Sequence, residues 1–581
     1  TLTPTKTARC WGVSKRSIKA VSAGGGRGSR AVSRWRALDG DRSGRQHAGR
    51  MTKWPEGAER TIGGSPHRPL GLAAASGVLY AAAQPPVDLA PLAFVALVPL
   101  LVATSTPRGR TRLLAGAVTG TVAGVGCVGV SVFEAARLYF DQPPWVAALF
   151  ALLVPLIYGA PFFALFALLA GRVCERDARA VRTMILVPAA WVATELARAN
   201  VGHGTPWCLL AHSQSGTPSL LQTAAVGGAF AVSYLIALVN AGVFLPVRAR
   251  STTAPRRAEL ACATVALLVL AAALIHGRAE VDRWSKSGGA ALRVAIVQPD
   301  VPAEWRASIA RVPAILGRLT DLTRQAARES PDLVVWPENA VGFVATANEL
   351  ALREAREVLD PRTLLLLGAP RSEMAHDGRS QFRNSALLVD GELRVLARQD
   401  KRRLTPFAEE WPRWLPRGRE AGDPYLPGDA VEMLPVQGHP VGVLICSEAI
   451  YPDLARHLVH AGAEVLVNIS NDAWFGASAA PVHHLNAARF RAVELRRWLV
   501  RSTNTGLSAV VAPTGEVVAE LPPAEPAVTT ATIRTVTTST PYARFGDLFA
   551  FLCVGAVLAD LACRPVLATL RGAGSAVLPP R

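Results

Sequence analysis

The chain has 581 residues, of which 50% are hydrophobic and only 18% charged, and its net charge is +18. A mean hydropathy of +0.25 lies outside the usual range of soluble domains and points to membrane spans. The charge does not indicate nucleic acid, because the arginines sit in an N-terminal stretch and in short loops between apolar runs, with no aromatic-interleaved basic surface and no zinc-type Cys/His spacing.

Residues 1–68 are rich in Arg, Gly and Ser without apolar periodicity, and read as a disordered basic tail. Met51 is an alternative start within it, so no function is assigned there. No cleavable signal peptide is evident, and the first apolar run reads as a retained anchor. Candidate spans follow at 69–84, 87–104, 113–133, 145–170, 183–198, 219–247 and 258–275, with an eighth at 547–563. The first and fifth are short for a bilayer that needs about 20 apolar residues. Pro155 and Pro161 place a kink in the fourth.

The loops give a direction. Arg108, Arg110 and Arg112 follow the second span; Arg172, Arg176, Arg179 and Arg182 follow the fourth. Arg248, Arg250, Arg256 and Arg257 follow the sixth, and Arg564 and Arg571 the eighth, whereas the loops after odd spans carry few basic residues. The positive-inside rule then puts both termini in the cytoplasm and the segment between the seventh and eighth spans outside.

That outer segment reads differently. Strand-like runs recur at Leu292–Gln298, Leu333–Trp336, Thr363–Leu367, Ser385–Val389, Val441–Ile445, Val465–Ile469 and Leu507–Val511, with helical patterns near 303–328, 347–358 and 484–497. Alternating strands and helices predict an α/β domain large enough to bury its own core. The expected organisation is a helical membrane domain over 69–278, an extracytoplasmic domain over 290–537, a last membrane helix over 545–570 and a cytoplasmic tail over 571–581.

Of eight cysteines, only Cys446 falls between Leu292 and Thr535. That stretch therefore cannot contain an internal disulfide. The run VGVLICSEAIY delivers Cys446 to the end of an apolar strand, followed by Ser447 and Glu448. A small buried hydrophobe and an aimed nucleophile both fit that placement. Two further loops carry reactive groups: VVWPENA with Glu338, and DKRRLTPFAEE with Lys401 and Glu409. Each taken alone also fits an ordinary surface loop. His483 and His484 have no Glu or Cys partner at metal-ligand spacing, so core or surface roles are expected, and neither a metal nor a cofactor is called for.

Together these loops resemble the nitrilase (carbon–nitrogen hydrolase) superfamily, and more closely its membrane-embedded branch, the apolipoprotein N-acyltransferases. The resemblance runs through PPVDLAPLAFVALVPLL, GTPWCLLAHSQ, VGGAFAVSYLIALVNA, RVAIVQPDVP, VVWPENA, KRRLTPFAEEW, NSALLVDG, LICSEAIYP, SNDAWFG, ARFRAVELRRWLVRSTNTGLSAVVAPTGE and TPYARFGD. It implies about eight membrane helices with an αββα sandwich inserted before the last. It also implies a Glu338–Lys401–Cys446 triad, with Cys446 as nucleophile, Glu338 as general base and Lys401 as cationic stabiliser. Glu409 and Glu448 match supporting acids, and Trp474 and Trp305 match tryptophans that gate the pocket. Ser447 departs from the family, which often has an aromatic there; its backbone N–H is still available to an oxyanion.

The implied reaction takes an acyl chain from a phospholipid onto Cys446 and passes it to the N-terminal amine of a diacylglyceryl-cysteine, in a monomer of the cell inner or plasma membrane. Exposed apolar residues at 340–348, including Phe343, and at 411–415 are expected to dip into the interface. Two alternatives fit the same residues. One is a membrane-tethered amidohydrolase with water as second nucleophile, the other a non-catalytic lipid-binding scaffold.

Overall fold

The computed structural model describes residues 68–105, 108–175, 179–249, 257–285, 288–302, 305, 308–341, 345–374, 380–410 and 425–574. The N-terminal tail to residue 67, Arg176, Arg250, Arg256, Phe343, residues 411–415 and the chain after 574 lie outside them.

Five helices among the described residues are long and apolar enough to cross a membrane by length and composition: Gly109–Leu138, Pro144–Val173, Ala180–Asn200, Ala224–Ala249 and Arg257–Trp284. Three further apolar segments accompany them. Arg68–Ala82 is a helix of 15 residues, and Ala90–Ala103 joins a 3-10 turn to one short helical stretch. The last is Leu548–Gly574, which follows the α/β domain in the chain. Large apolar side chains stay exposed on several of these, including Leu149, Ile157, Leu267, Leu268, Ile275, Phe551 and Leu552. A surface of that kind calls for lipid around it.

The breaks in these helices have local causes. The predicted kink in the fourth run falls at Gly159, two residues before Pro161, which has no N–H to donate to the Ile157 carbonyl. The sixth run breaks at Gly227 and Gly228. Gly228 has φ 70° and ψ −173°, a conformation essentially restricted to glycine, and a Cβ there would meet the Tyr542 ring at 2.5 Å. The helix resumes at Ala229, whose N–H donates to Glu494 Oε1 at 3.0 Å.

The α/β domain holds two six-stranded sheets. The strands are β1 (Ala291–Gln298), β2 (Leu333–Val335), β3 (Leu364–Met374), β4 (Ser380–Val389), β5 (Val395–Asp400) and β6 (Leu434–Val436). The remainder are β7 (His439–Ile445), β8 (Val465–Ser470), β9 (Trp498–Thr503), β10 (Ala509–Val511), β11 (Val517–Glu520) and β12 (Ala527–Arg534). One sheet has the order β12-β1-β2-β3-β4-β5 and the other β11-β10-β9-β8-β7-β6. The centres are parallel, β1 to β2 to β3 and β7 to β8 to β9, and the edges antiparallel.

Three hydrophobic cores make the layers. Ile296, Val335 and Leu366 of the first sheet meet Val443, Ile445 and Val467 of the second. The outer face of the first sheet packs under Val312–Ala327 and Ala345–Val358, that of the second under Pro452–His460 and Ala480–Leu495. This is the expected αββα sandwich. Central strands buried on both faces read as continuous apolar runs, which made β7 and β8 legible. The edge strands β5, β6, β11 and β12 were not, nor was the inner strand β9.

Ala480–Leu495 also joins the sandwich to the helical domain, because its Phe490 and Val493 belong to the core of the membrane helices. Gly228→Ala tests that junction. Forcing a side chain into this backbone conformation and against Tyr542 is expected to destabilise the protein by roughly 2–4 kcal/mol. Thermal unfolding in detergent should show a lowered midpoint.

Candidate active site

Three strand ends converge. β2, β5 and β7 are each followed by a reactive side chain: Glu338 two residues past Trp336, Lys401 directly after Asp400, and Cys446 directly after Ile445. Gly368 on β3 makes room for the first loop, since a Cβ there would lie 2.6 Å from the Glu338 Cα. Cys446 has φ 54°, a left-handed conformation that turns the chain from β7 into the 3-10 helix Cys446–Ile450. Such strain in a non-glycine residue is held only where the surroundings fix it, and it aims the thiol away from the strand.

The charges are arranged around Lys401, which is only 1% exposed. Its Nζ lies 2.6 Å from Glu409 Oε2 and 3.7 Å from Glu338 Oε1. Asn384, on β4, bridges the two acids: its Nδ2 donates to Glu338 Oε1 at 2.6 Å and to Glu409 Oε1 at 2.8 Å. The Thr405 N–H donates to Glu409 Oε2 at 2.8 Å, and Lys401 Nζ donates to Thr405 Oγ1 at 3.3 Å. Thr405 Oγ1 in turn lies 3.4 Å from Ser447 Oγ.

Burial opposes every charge in the cluster, and the partners decide the outcome. For Glu409, burial is outweighed by Lys401 and by hydrogen bonds from Lys401, Asn384 and Thr405, which hold its pKa below the usual value. For Lys401, burial is likewise outweighed by the negative partners Glu409, Cys446 and Glu338, and the ammonium is held well above its ordinary pKa. Glu338 goes the other way. Burial raises its carboxyl, and Glu409 adds to that against the pull of Lys401. Its Oε2 has no nitrogen or oxygen donor, and the Cys446 thiol favours its charged form. Burial and the nearby Glu338 push the Cys446 thiol far up. The site therefore sets a thiol held toward its neutral form beside a carboxyl of raised pKa, with a fixed ammonium adjacent. That set can form and stabilise an acyl-thioester.

Glu448 is buried beneath the turn. Its Oε2 accepts from the Ile445 N–H at 2.8 Å, and its Oε1 from the N–H groups of Arg402 and Arg403 at 2.7 and 3.0 Å. One carboxylate thus ties the nucleophile turn to the loop that carries Lys401. Burial raises its pKa against these three donors.

Trp474 packs against Tyr139 with ring centroids 3.6 Å apart and planes tilted at 60°. Tyr139 follows the Gly109–Leu138 helix and feels the site, for burial and then Glu409 raise its phenol pKa. Trp305 packs against the helix-covered core of the first sheet, which also holds Trp336, Ala340 and Val341 on either side of Glu338, and the guanidinium groups of Arg311 and Arg318 are each 5.1 Å from its ring.

Glu338, Lys401, Cys446, Glu409, Glu448 and Ser447 therefore come together, and Trp474 closes one side with an aromatic partner. Asn384, Thr405 and Tyr139 were not singled out from the sequence. Asn384 left a signal, a polar amide inside the strand-like run NSALLV where such residues are depleted. His484 is also close, its Nε2 3.0 Å from the Cys446 carbonyl oxygen.

Family models match twice: "Apolipoprotein N-acyltransferase N-terminal domain" over residues 76–242 and "Carbon-nitrogen hydrolase" over 293–542. A protein of Geobacter metallireducens named apolipoprotein N-acyltransferase is 34% identical over 513 residues, covering 86% of this chain and 96% of the relative. Proteins with the same name from Azotobacter vinelandii and Pseudomonas aeruginosa (strain LESB58) are 33% and 31% identical, each covering 82% of this chain and 91% of the relative. Among solved structures, an amidase from Nesterenkonia sp. is similar at 21% identity and a TM-score of 0.33, over 42% of this chain and 91% of that one.

The electrostatics predict a direction for the thiol. Because Glu338 raises the Cys446 pKa, Glu338→Gln should let the thiolate form at lower pH. Alkylation of Cys446 by iodoacetamide, followed by peptide mass spectrometry across pH, should show its alkaline limb displaced downward. No displacement, or an upward one, would contradict the charge assignment.

Proposed function

The chain belongs to the apolipoprotein N-acyltransferase family, and from that membership we propose that Cys446 carries an acyl group from a membrane phospholipid to an apolipoprotein. The acceptor is the α-amine of its N-terminal diacylglyceryl-cysteine. The observation that carries this reading is the convergence of Cys446 with Glu338 and the buried Lys401–Glu409 pair at three strand ends.

In the first half-reaction, Cys446 Sγ attacks the ester carbonyl while Glu338 takes the thiol proton. Lys401 Nζ and the Ser447 N–H donate to the oxyanion of the tetrahedral intermediate. The ester oxygen leaves as a lysophospholipid with the proton from Glu338, and a thioester remains. In the second, the acceptor amine attacks the thioester carbon. With a pKa of about 7.7–8.0 such an amine is partly neutral near pH 7. Glu338 accepts the proton it loses, and the Cys446 thiol is restored as the leaving group. The same carboxyl thus acts as base and acid in each half, which suits its raised pKa.

Glu409 fixes Lys401, and Glu448 fixes the loop and turn against each other. Trp474 with Tyr139 would line the acyl path. For Trp305 the family match suggests a gating role, although its ring contacts here are arginines.

We take the eight apolar segments as eight passes, with the sandwich over 290–537 on the extracytoplasmic side and both termini in the cytoplasm. The loop arginines support this. So does an ion pair at 2.7 Å between Arg182, at the start of Ala180–Asn200, and Asp560, which lies well along the last helix. One chain supplies every residue named, so we read the working unit as a monomer in the cell inner membrane, with the site open to lipids of one leaflet. No cofactor is called for.

Mass spectrometry of a lipoprotein N-terminus tests the reading in cells whose only copy is wild type or Cys446→Ala. A third acyl group is expected with the first and a free amine with the second, the rate of transfer falling by roughly 10⁴-fold or more. A third acyl group in both would remove Cys446 as nucleophile. Hydrolysis of small amides without transfer would assign the protein to the amidohydrolases.

A further inference from the structure

The carbonyl of Cys446 is held by two side chains that the chemistry does not otherwise use. Asn468, on β8, donates from Nδ2 to Leu444 O at 2.9 Å and to Cys446 O at 3.2 Å. His484, in the Ala480–Leu495 helix, places Nε2 3.0 Å from the same oxygen. Since that oxygen can only accept, Nε2 carries a proton.

Both donors are oriented from behind by a buried ion pair. Asp472 Oδ1 faces His484 Nδ1 at 3.1 Å and accepts from Ser470 Oγ at 3.0 Å, and Asp472 Oδ2 pairs with Arg501 Nη2 at 2.7 Å. Arg501 Nη1 donates to Asn468 Oδ1, and Arg501 Nε to Leu507 O at 3.2 Å. The network therefore runs from Asp472 by two routes, through His484 and through Arg501 and Asn468, and both routes end on one carbonyl oxygen.

Asn468, Asp472, His484 and Arg501 are all at most 2% exposed. Burying an ion pair is unfavourable until its partners compensate for the lost water. A left-handed, non-glycine residue is strained as well. Cys446 is such a residue, and its peptide would relax if the carbonyl were free to turn.

We propose that Asn468 and His484 are positioning residues, a two-donor clamp on the Cys446 carbonyl that keeps the thiol in its attacking geometry, with the Asp472–Arg501 pair as the anchor of both. The clamp acts on the strained turn and leaves substrate binding alone. This rests on the reading of Cys446 as the nucleophile.

The test uses the full-length protein in detergent with phospholipid vesicles, comparing wild type with His484→Gln and Asn468→Ser. Three quantities are measured: kcat and KM for acyl transfer, the alkylation rate of Cys446, and thermal unfolding. The clamp predicts kcat lowered by roughly 10- to 100-fold, the scale of a small misplacement of a reacting group. KM and the unfolding midpoint should stay near wild type, while alkylation of Cys446 changes along with kcat. An unchanged kcat, or a loss confined to KM, would overturn it. If His484→Gln does not fold, Asn468→Ser decides by the same readouts; failure of both to fold would assign the network to the fold and overturn the positioning role. Cys446→Ala run in parallel separates the two claims, because transfer surviving in that variant would defeat the nucleophile reading itself.

Discussion

The site depends on keeping one ammonium charged in a place that excludes water. A lone lysine as buried as Lys401 would lose its proton, since burial disfavours the charged form. Glu409 at 2.6 Å prevents that, and is itself kept ionised by Lys401, Asn384 and the Thr405 N–H. With this pair fixed, Glu338 is the acid left over. It stands farther from Lys401, at 3.7 Å, and shares only Asn384 with Glu409. Two carboxylates around one ammonium are thereby pushed to opposite sides of their ordinary pKa. Such splitting separates a structural counter-ion from a working base.

The sandwich provides the geometry for that split. Parallel pairing runs β1, β2 and β3 in one direction in the first sheet and β7, β8 and β9 in one direction in the second, and the antiparallel pairing of β4 with β5 brings Asn384 and Lys401 alongside. The second sheet then passes its position on to the membrane helices. Glu494, in the helix that covers it, accepts from the N–H of Ala229 where the Ala224–Ala249 helix restarts and pairs with Arg491 at 2.8 Å. Arg491 reaches the Ile450 carbonyl at 3.2 Å, at the end of the turn that starts with Cys446. A continuous set of buried polar contacts thus links a central helix of the membrane domain to the nucleophile. A lipid enzyme needs such a link if the acyl ester is to arrive at the thiol in register.

The most legible parts of this were those governed by local pattern. Apolar runs marked the membrane helices and most of the doubly buried strands, β9 excepted; Glu338 and Cys446 stood at strand ends that could be read, while Lys401, after the unread β5, joined them through the resemblance. Helix limits were less legible, because a π-turn at Val125–Gly129 carries the third segment on to Leu138 and glycine breaks the sixth. The helical pattern taken to 497 ends at Leu495, and Trp498 already belongs to β9. Long-range polar contacts were not legible. His484, read as a core or surface histidine, is in the core, but its partners Asp472 and Cys446 are 12 and 38 residues away. Nothing in periodicity reports a pairing across three elements.

The central claim is that the acyl chain rests on one sulfur between donor and acceptor. Incubating the purified protein with a phospholipid carrying an isotopically labelled acyl chain, in the absence of acceptor, tests it directly by peptide mass spectrometry. The account predicts a labelled acyl group on the peptide containing Cys446, released by neutral hydroxylamine and transferred when an acceptor amine is added. A label on another residue, or transfer with no adduct at Cys446, would contradict it.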